Sequence, residues 1–172
     1  MFQKQQLSVL FFSVKSMQIH SLELDDFSDN NYTLIGIHTT LEGFKLAYSL
    51  NQKINTKFSK ATYRLDFENK NNNASFSIYE HLNRKFNHNW FLIENQYKNQ
   101  LQGIKTGLFS SGDSTTYLIP EKNKVDFFLK LEGDFEAEFI VKTVSNINAI
   151  NQVITSYTIN PMTLKSKDFL IF

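Results

Sequence analysis

The chain has 172 residues, no cysteine, and 18 basic against 17 acidic side chains. That length fits one domain able to hide about two-thirds of the surface its unfolded chain exposes. The missing cysteines exclude disulfides, thiolate metal sites and thiol nucleophiles, and the near-zero charge excludes a global field for nucleic acid or an anionic membrane.

The chain begins with an apolar run, Leu7 to Val14, behind Lys4 and broken by Ser8 and Ser13. It is too short to span a bilayer and lacks a well-formed cleavage site, so residues 1–16 read as an N-terminal extension to a single domain over 17–172, with no membrane association and a cytoplasmic location. Ile19, Leu22 and Leu24 suit a first strand, closed by an Asp-rich turn over 25–31. That turn lacks the glycine and distal glutamate of a calcium loop. Tyr32 to His38 is apolar and β-branched, and predicts a second strand. Thr39 and Glu42 then have capping-box spacing, and Leu46, Ala47, Leu50 and Ile54 predict an amphipathic helix over 40–54. Gly43 weakens its first turn.

Tyr63, Leu65 and Phe67 alternate with polar residues, and Phe76 and Ile78 return after the polar loop 69–73, which predicts a hairpin. Another strand is predicted over Trp90 to Tyr97, reached through a loop over 81–89. Gly103, Gly107 and Gly112 mark a long connection. Tyr117 to Gly133 reads as a hairpin whose first strand stops at Pro120 and whose second runs from Lys124 to Glu132. Phe135, Phe139, Ile140, Val144 and Ile147 suit a helix over 135–147, and Val153 to Ile159 a closing strand that ends before Pro161. The apolar end Phe169-Leu170-Ile171-Phe172 is expected to dock, on the body or on a second subunit. Helices flanking antiparallel hairpins give an α+β class: one twisted antiparallel sheet with two helices on one face. Phe128 points away from Phe127, Leu129 and Leu131, which predicts a covered second face.

Few residues suggest chemistry. Glu121 and Asp126 flank a turn with Lys122 and Lys124, and could serve acid/base work only if they converged in a cleft. As exposed charges they would instead salt a solvated hairpin or dock a basic partner. His81 and His88 share a predicted loop without a carboxylate at ligand spacing, so no zinc template is met. The run 107–116 has the glycines and hydroxyls of an anion loop but no Walker spacing and no following helix. Lys53, Lys57, Lys60 and Arg64, beside Phe58 and Tyr63, could make a face for single-stranded RNA, although Arg64 and Arg84 are the only arginines and no RNA-binding signature accompanies them. No cofactor or metal is called for.

Ile119-Pro120-Glu121 followed by Asp126-Phe127 resembles the signature of the IPExxxDY family, short proteins of the Bacteroidota without an assigned activity. The similarity extends to 32–38, to Leu46-Ala47-Tyr48 and to 165–172. Four residues rather than three separate Glu121 from Asp126, and Phe127 stands in place of the named tyrosine, which removes its hydroxyl. The resemblance implies a cytoplasmic bacterial protein and no activity. The function the sequence favours is a non-catalytic interaction module acting on another protein or on its own copy, through Glu121, Asp126 and Phe128. The alternatives are the RNA-binding face and, third, an enzyme resting on Glu121 and Asp126.

Overall fold

The computed structural model describes residues 32–69, 72–85, 87–99 and 114–172. Among them the chain runs through β1 (Tyr32–Thr39), α1 (Gly43–Lys53), β2 (Ser59–Asn69), β3 (Asn72–Asn83), β4 (His88–Glu94), β5 (Gln96–Asn99), β6 (Ser114–Tyr117), β7 (Phe127–Glu132), α2 (Ala137–Asn148) and β8 (Val153–Ile159). Six strands form an antiparallel sheet in the order β2-β3-β4-β7-β1-β8, and β5 pairs with β6 in a separate two-stranded sheet. The class is α+β, as the sequence predicts. The predicted extension 1–16, the first strand, the Asp-rich turn and all but the end of the anion-like loop lie outside the described residues.

The strands β4, β7 and β1 occupy the middle of the sheet, and their apolar side chains alternate between two cores. Ile35 and Ile37, Trp90 and Leu92, and Phe127, Leu129 and Leu131 face one core. Leu46, Ala47 and Leu50 of α1 and Ile140 and Ile147 of α2 close it. Leu34, Phe91, Ile93 and Phe128 face the other, covered by Leu118, Ile119 and Val125 and by Leu164 and Leu170 near the end of the chain. Two helices therefore lie on one face, and irregular segments seal the second. Phe76 and Phe128 are fully buried there, and truncating such a ring costs about 3–5 kcal/mol.

Both helices start later than predicted, and α1 does so for a physical reason. No capping box forms: α1 begins at Gly43 without a side-chain cap. The Thr39 amide donates instead to Asp126 Oδ2 at 2.9 Å, and its hydroxyl donates to the Gln152 carbonyl and accepts from the Leu41 amide. Gly43 is required rather than a weakness, because a Cβ there would meet the Tyr79 ring at 2.7 Å and Glu94 Oε1 at 2.9 Å. The missing side chain lets the helix start press against β3 and β4.

The two sheet edges differ. The β2 edge carries Lys60, Arg64 and Asp66 and a register shift between Lys60 and Arg64, features that block a further strand. The β8 edge has no charged residue.

The predicted strand from Trp90 to Tyr97 breaks at Asn95, and the predicted 117–133 hairpin does not form. Its two arms belong to different sheets, joined through a 3₁₀ turn over Pro120–Lys122. Asn95 accounts for both outcomes. It is 0 % exposed, its amide donates to the Asp126 carbonyl, and its carbonyl accepts from the Leu118 amide. Its Nδ2 donates to the carbonyls of Lys122 (2.9 Å) and Val125 (2.8 Å), and its Oδ1 accepts from the Ile119 amide (2.9 Å). One asparagine thus pins the whole 118–126 segment against the end of β4. Asn95→Ala should lower the unfolding free energy by about 3 kcal/mol in urea titrations, because three side-chain bonds vanish and their buried backbone partners go unsatisfied. Asn95→Asp should rescue little, since a carboxylate cannot donate to the two carbonyls.

Candidate functional site

The residues singled out from the sequence do not assemble into one site. Glu121 was expected to be solvent-facing, and it is exposed but not unpartnered. Its Oε1 accepts from the Ser166 amide at 2.8 Å and its Oε2 from the Ser166 hydroxyl at 3.0 Å. Burial acts to raise its pKa, but these bonds, with the Glu121 and Lys165 amides, outweigh it and hold the carboxyl below the usual glutamate range. Asp126 accepts from the Thr39 amide and, at 3.0 Å, from Gln96 Nε2. The two carboxylates therefore clamp different segments rather than converging as an acid/base pair. Phe128 is 0 % exposed and offers a partner no surface. Phe128 therefore belongs to the covered core and not to the docking site expected from the sequence.

The basic residues are also dispersed. Arg64 donates to the Ser75 carbonyl at 2.6 Å along the β2–β3 pair. Lys60 borders one cleft with Phe44 and Tyr48, and Lys53 borders others at the end of α1. Lys57 is exposed in the α1–β2 connection, and its amide donates to His81 Nδ1 at 3.1 Å. Phe58, one of the rings beside the basic residues, is only 7 % exposed.

The cavity that gathers chemistry lies where both helices meet the end of the β3–β4 hairpin. The hairpin register sets His81 opposite Trp90 and Asn83 opposite His88. Period-two geometry then places all four side chains on one face. Gly133, with φ +133°, ends β7 and turns the chain beside His88, where a Cβ would lie 2.6 Å from the imidazole. That turn delivers Asp134, Phe135 and Glu136, and the first turn of α2 adds Phe139. From the other side come Ile54, Asn55 and Thr56, held because Asn51 Oδ1 accepts from the Thr56 hydroxyl and the Phe58 amide. These groups enclose an open cleft of about 390 Å³.

Aromatic contacts organise its wall. Phe135 and Phe139 stack at 5.2 Å, and Trp90 stands nearly perpendicular to both at 5.8 and 5.9 Å. His88 lies 4.5 Å from Phe135, and His81 meets Trp90 edge to face at 6.3 Å. Because His81 Nδ1 accepts the Lys57 amide, its proton sits on Nε2. Burial, then the Lys57 charge, pushes the imidazole pKa down, so the ring is a neutral donor near pH 7. A donor that already holds its proton suits binding better than proton abstraction. Among the described residues no three histidine or carboxylate side chains approach closely enough to hold a metal ion, and no helix is long and apolar enough to cross a membrane.

The sequence reading placed His81 and His88 in a surface loop and missed this cleft. Pairing residue 83 with 88 would have revealed it, since 81, 83, 88 and 90 then share one face of the strand pair. Searched against protein-family models the chain has no match, and no curated protein matches it significantly.

The Glu121 clamp titrates. A lowered native pKa adds stability that is complete above the ordinary glutamate range and is lost as pH falls through the native value. Glu121→Ala should therefore speed amide exchange at Ser166 and lower stability by about 0.5–1 kcal/mol at pH 7, as expected for an exposed clamp. The difference from the parent protein should shrink in acid below the native pKa. An unchanged Ser166 exchange rate at pH 7 would show that the clamp carries no weight.

Proposed function

We propose that the protein is a non-catalytic interaction module of the cytoplasm that binds a short segment of a partner protein in the Trp90 cleft. One observation carries this reading: three aromatic side chains, two histidines and two carboxylates from the β3–β4 pair and the 134–139 stretch converge on an open cavity of about 390 Å³, closed on its other side by residues 54–56. Recognition sites pair apolar and aromatic walls with a few placed polar groups, in cavities of roughly 300–1,000 Å³. The neutral His81 and the carboxylates of Asp134 and Glu136 supply those polar groups, and the resemblance to a family without assigned activity asks for no chemistry beyond binding.

Trp90 is the single tryptophan, so its emission reports the cleft directly. Capped tetrapeptides of apolar, basic, acidic and mixed sequence serve as probes. At least one class should shift Trp90 emission saturably, and Phe139→Ala should weaken that binding about tenfold, as for an aromatic contact at an interface. Phe139 is 41 % exposed, so its truncation should cost only about 1 kcal/mol of stability. Absence of a saturable shift with every class would overturn the reading.

A further inference from the structure

A second cleft of about 300 Å³ adjoins the first and shares Ile54, Asn55, Trp90 and Phe139 with it. Its ends differ in charge: Asp134 and Glu136 border the first cleft, Lys53 and Lys142 the second. None of these four forms an ion pair with another described residue. The helix α2 explains the alignment. Phe139 and Lys142 are neighbours three apart on its surface, and Glu136 is its N-cap, three residues before Phe139. From the N-cap Glu136 to Lys142 the chain rises about 9 Å along the axis and ends about a third of a circle round it.

The protein elsewhere shows what such components hold. Across the sheet, the Lys130 ammonium is 3 % exposed and lies 5.0, 5.6 and 4.8 Å from the rings of Tyr32, Phe91 and Phe172. Glu132 pairs with it at 2.6 Å. Three rings and one carboxylate suffice there to keep an ammonium out of water. The Trp90 cleft has the same parts, with no lysine or arginine in its wall.

We infer that the groove takes a dipolar peptide segment, with a basic side chain at Asp134 and Glu136, an acidic one at Lys53 and Lys142, and an apolar body across Trp90 and Phe139. This rests on the cleft being the recognition surface. A purely basic segment would leave the lysine end repelling it, and a purely acidic one would meet the carboxylates. Extended chain rises about 3.3 Å per residue and turns alternate side chains to opposite faces, so two charges that reach the same groove should stand two or four residues apart.

The test uses acetyl-Lys-(Ala)n-Glu-amide peptides with n from 0 to 4, read by Trp90 emission. Acetyl-Lys-(Ala)n-Gln-amide and acetyl-Gln-(Ala)n-Glu-amide are the singly charged controls. Binding should be strongest at n = 1 or n = 3, the spacings that put both charges on one face, and weaken about two- to fivefold on loss of either peptide charge, the range of exposed ion pairs. Asp134→Asn with Glu136→Gln should abolish the advantage of the peptide lysine alone, and Lys53→Gln with Lys142→Gln that of the glutamate alone. Raising salt from 0.05 to 0.5 M should remove both advantages. If the lysine-only control binds as tightly as the dipolar peptide and the lysine variants change nothing, the dipolar inference falls while the cleft remains a recognition surface. If no peptide of any charge moves Trp90 emission, the binding reading falls with it.

Discussion

The buried side chain of Asn95 is the interaction on which the rest of the fold depends. Between β4 and β5 the chain must leave the main sheet, and a strand that stops in a core exposes backbone groups without partners. Asn95 supplies two donors and an acceptor to the 118–126 segment, and its own backbone supplies one of each. The segment so held puts Leu118, Ile119 and Val125 over the second sheet face. It also fixes Asp126, which anchors the end of β1, and Glu121, which anchors Ser166. The 119–126 residues thus act as one brace: the Ile119-Pro120-Glu121 turn grips the closing segment of the chain, and Asp126 grips the connection into α1.

Elements whose signal is local were legible in the sequence. Period two marks β2 and β8, an apolar β-branched run marks β1, and helical spacing marks α1 and α2, because each depends on a pattern that a few consecutive residues create. The errors lie where a distant partner decides. Thr39 and Glu42 have capping spacing, yet the Thr39 amide answers to a carboxylate 87 residues later. Glu121 looked solvated because its acceptor role is met by Ser166, 45 residues on. Phe128 was correctly placed on a covered face, but its complete burial removes it from any docking surface. The cleft stayed hidden because it joins three segments, and only the β3–β4 register brings His81 and Trp90 side by side.

The two faces of the sheet treat charge in opposite ways. On the covered face Lys130 is sealed between rings and Glu132, and that ammonium helps hold Phe172 onto the sheet. Removing either member of a buried pair strands the other, so this arrangement gives a specific seat to the end of the chain more than it adds net stability. On the helix face the charged groups stand at the rim of an open groove, where water still reaches them.

The strand order has a consequence for synthesis. β1 lies between β7 and β8, yet it leaves the ribosome first of the six strands. Its neighbour β7 begins 88 residues after β1 ends, so at 5–20 residues per second the Leu34-Ile35-Gly36-Ile37 run waits roughly 4–18 s for its first partner. The β2–β3–β4 meander can form meanwhile from contacts close in sequence, and β1 enters the gap beside β7 only afterwards. The nascent chain therefore carries an unpaired apolar strand through about half of its elongation, and the sheet gains its β8 edge last.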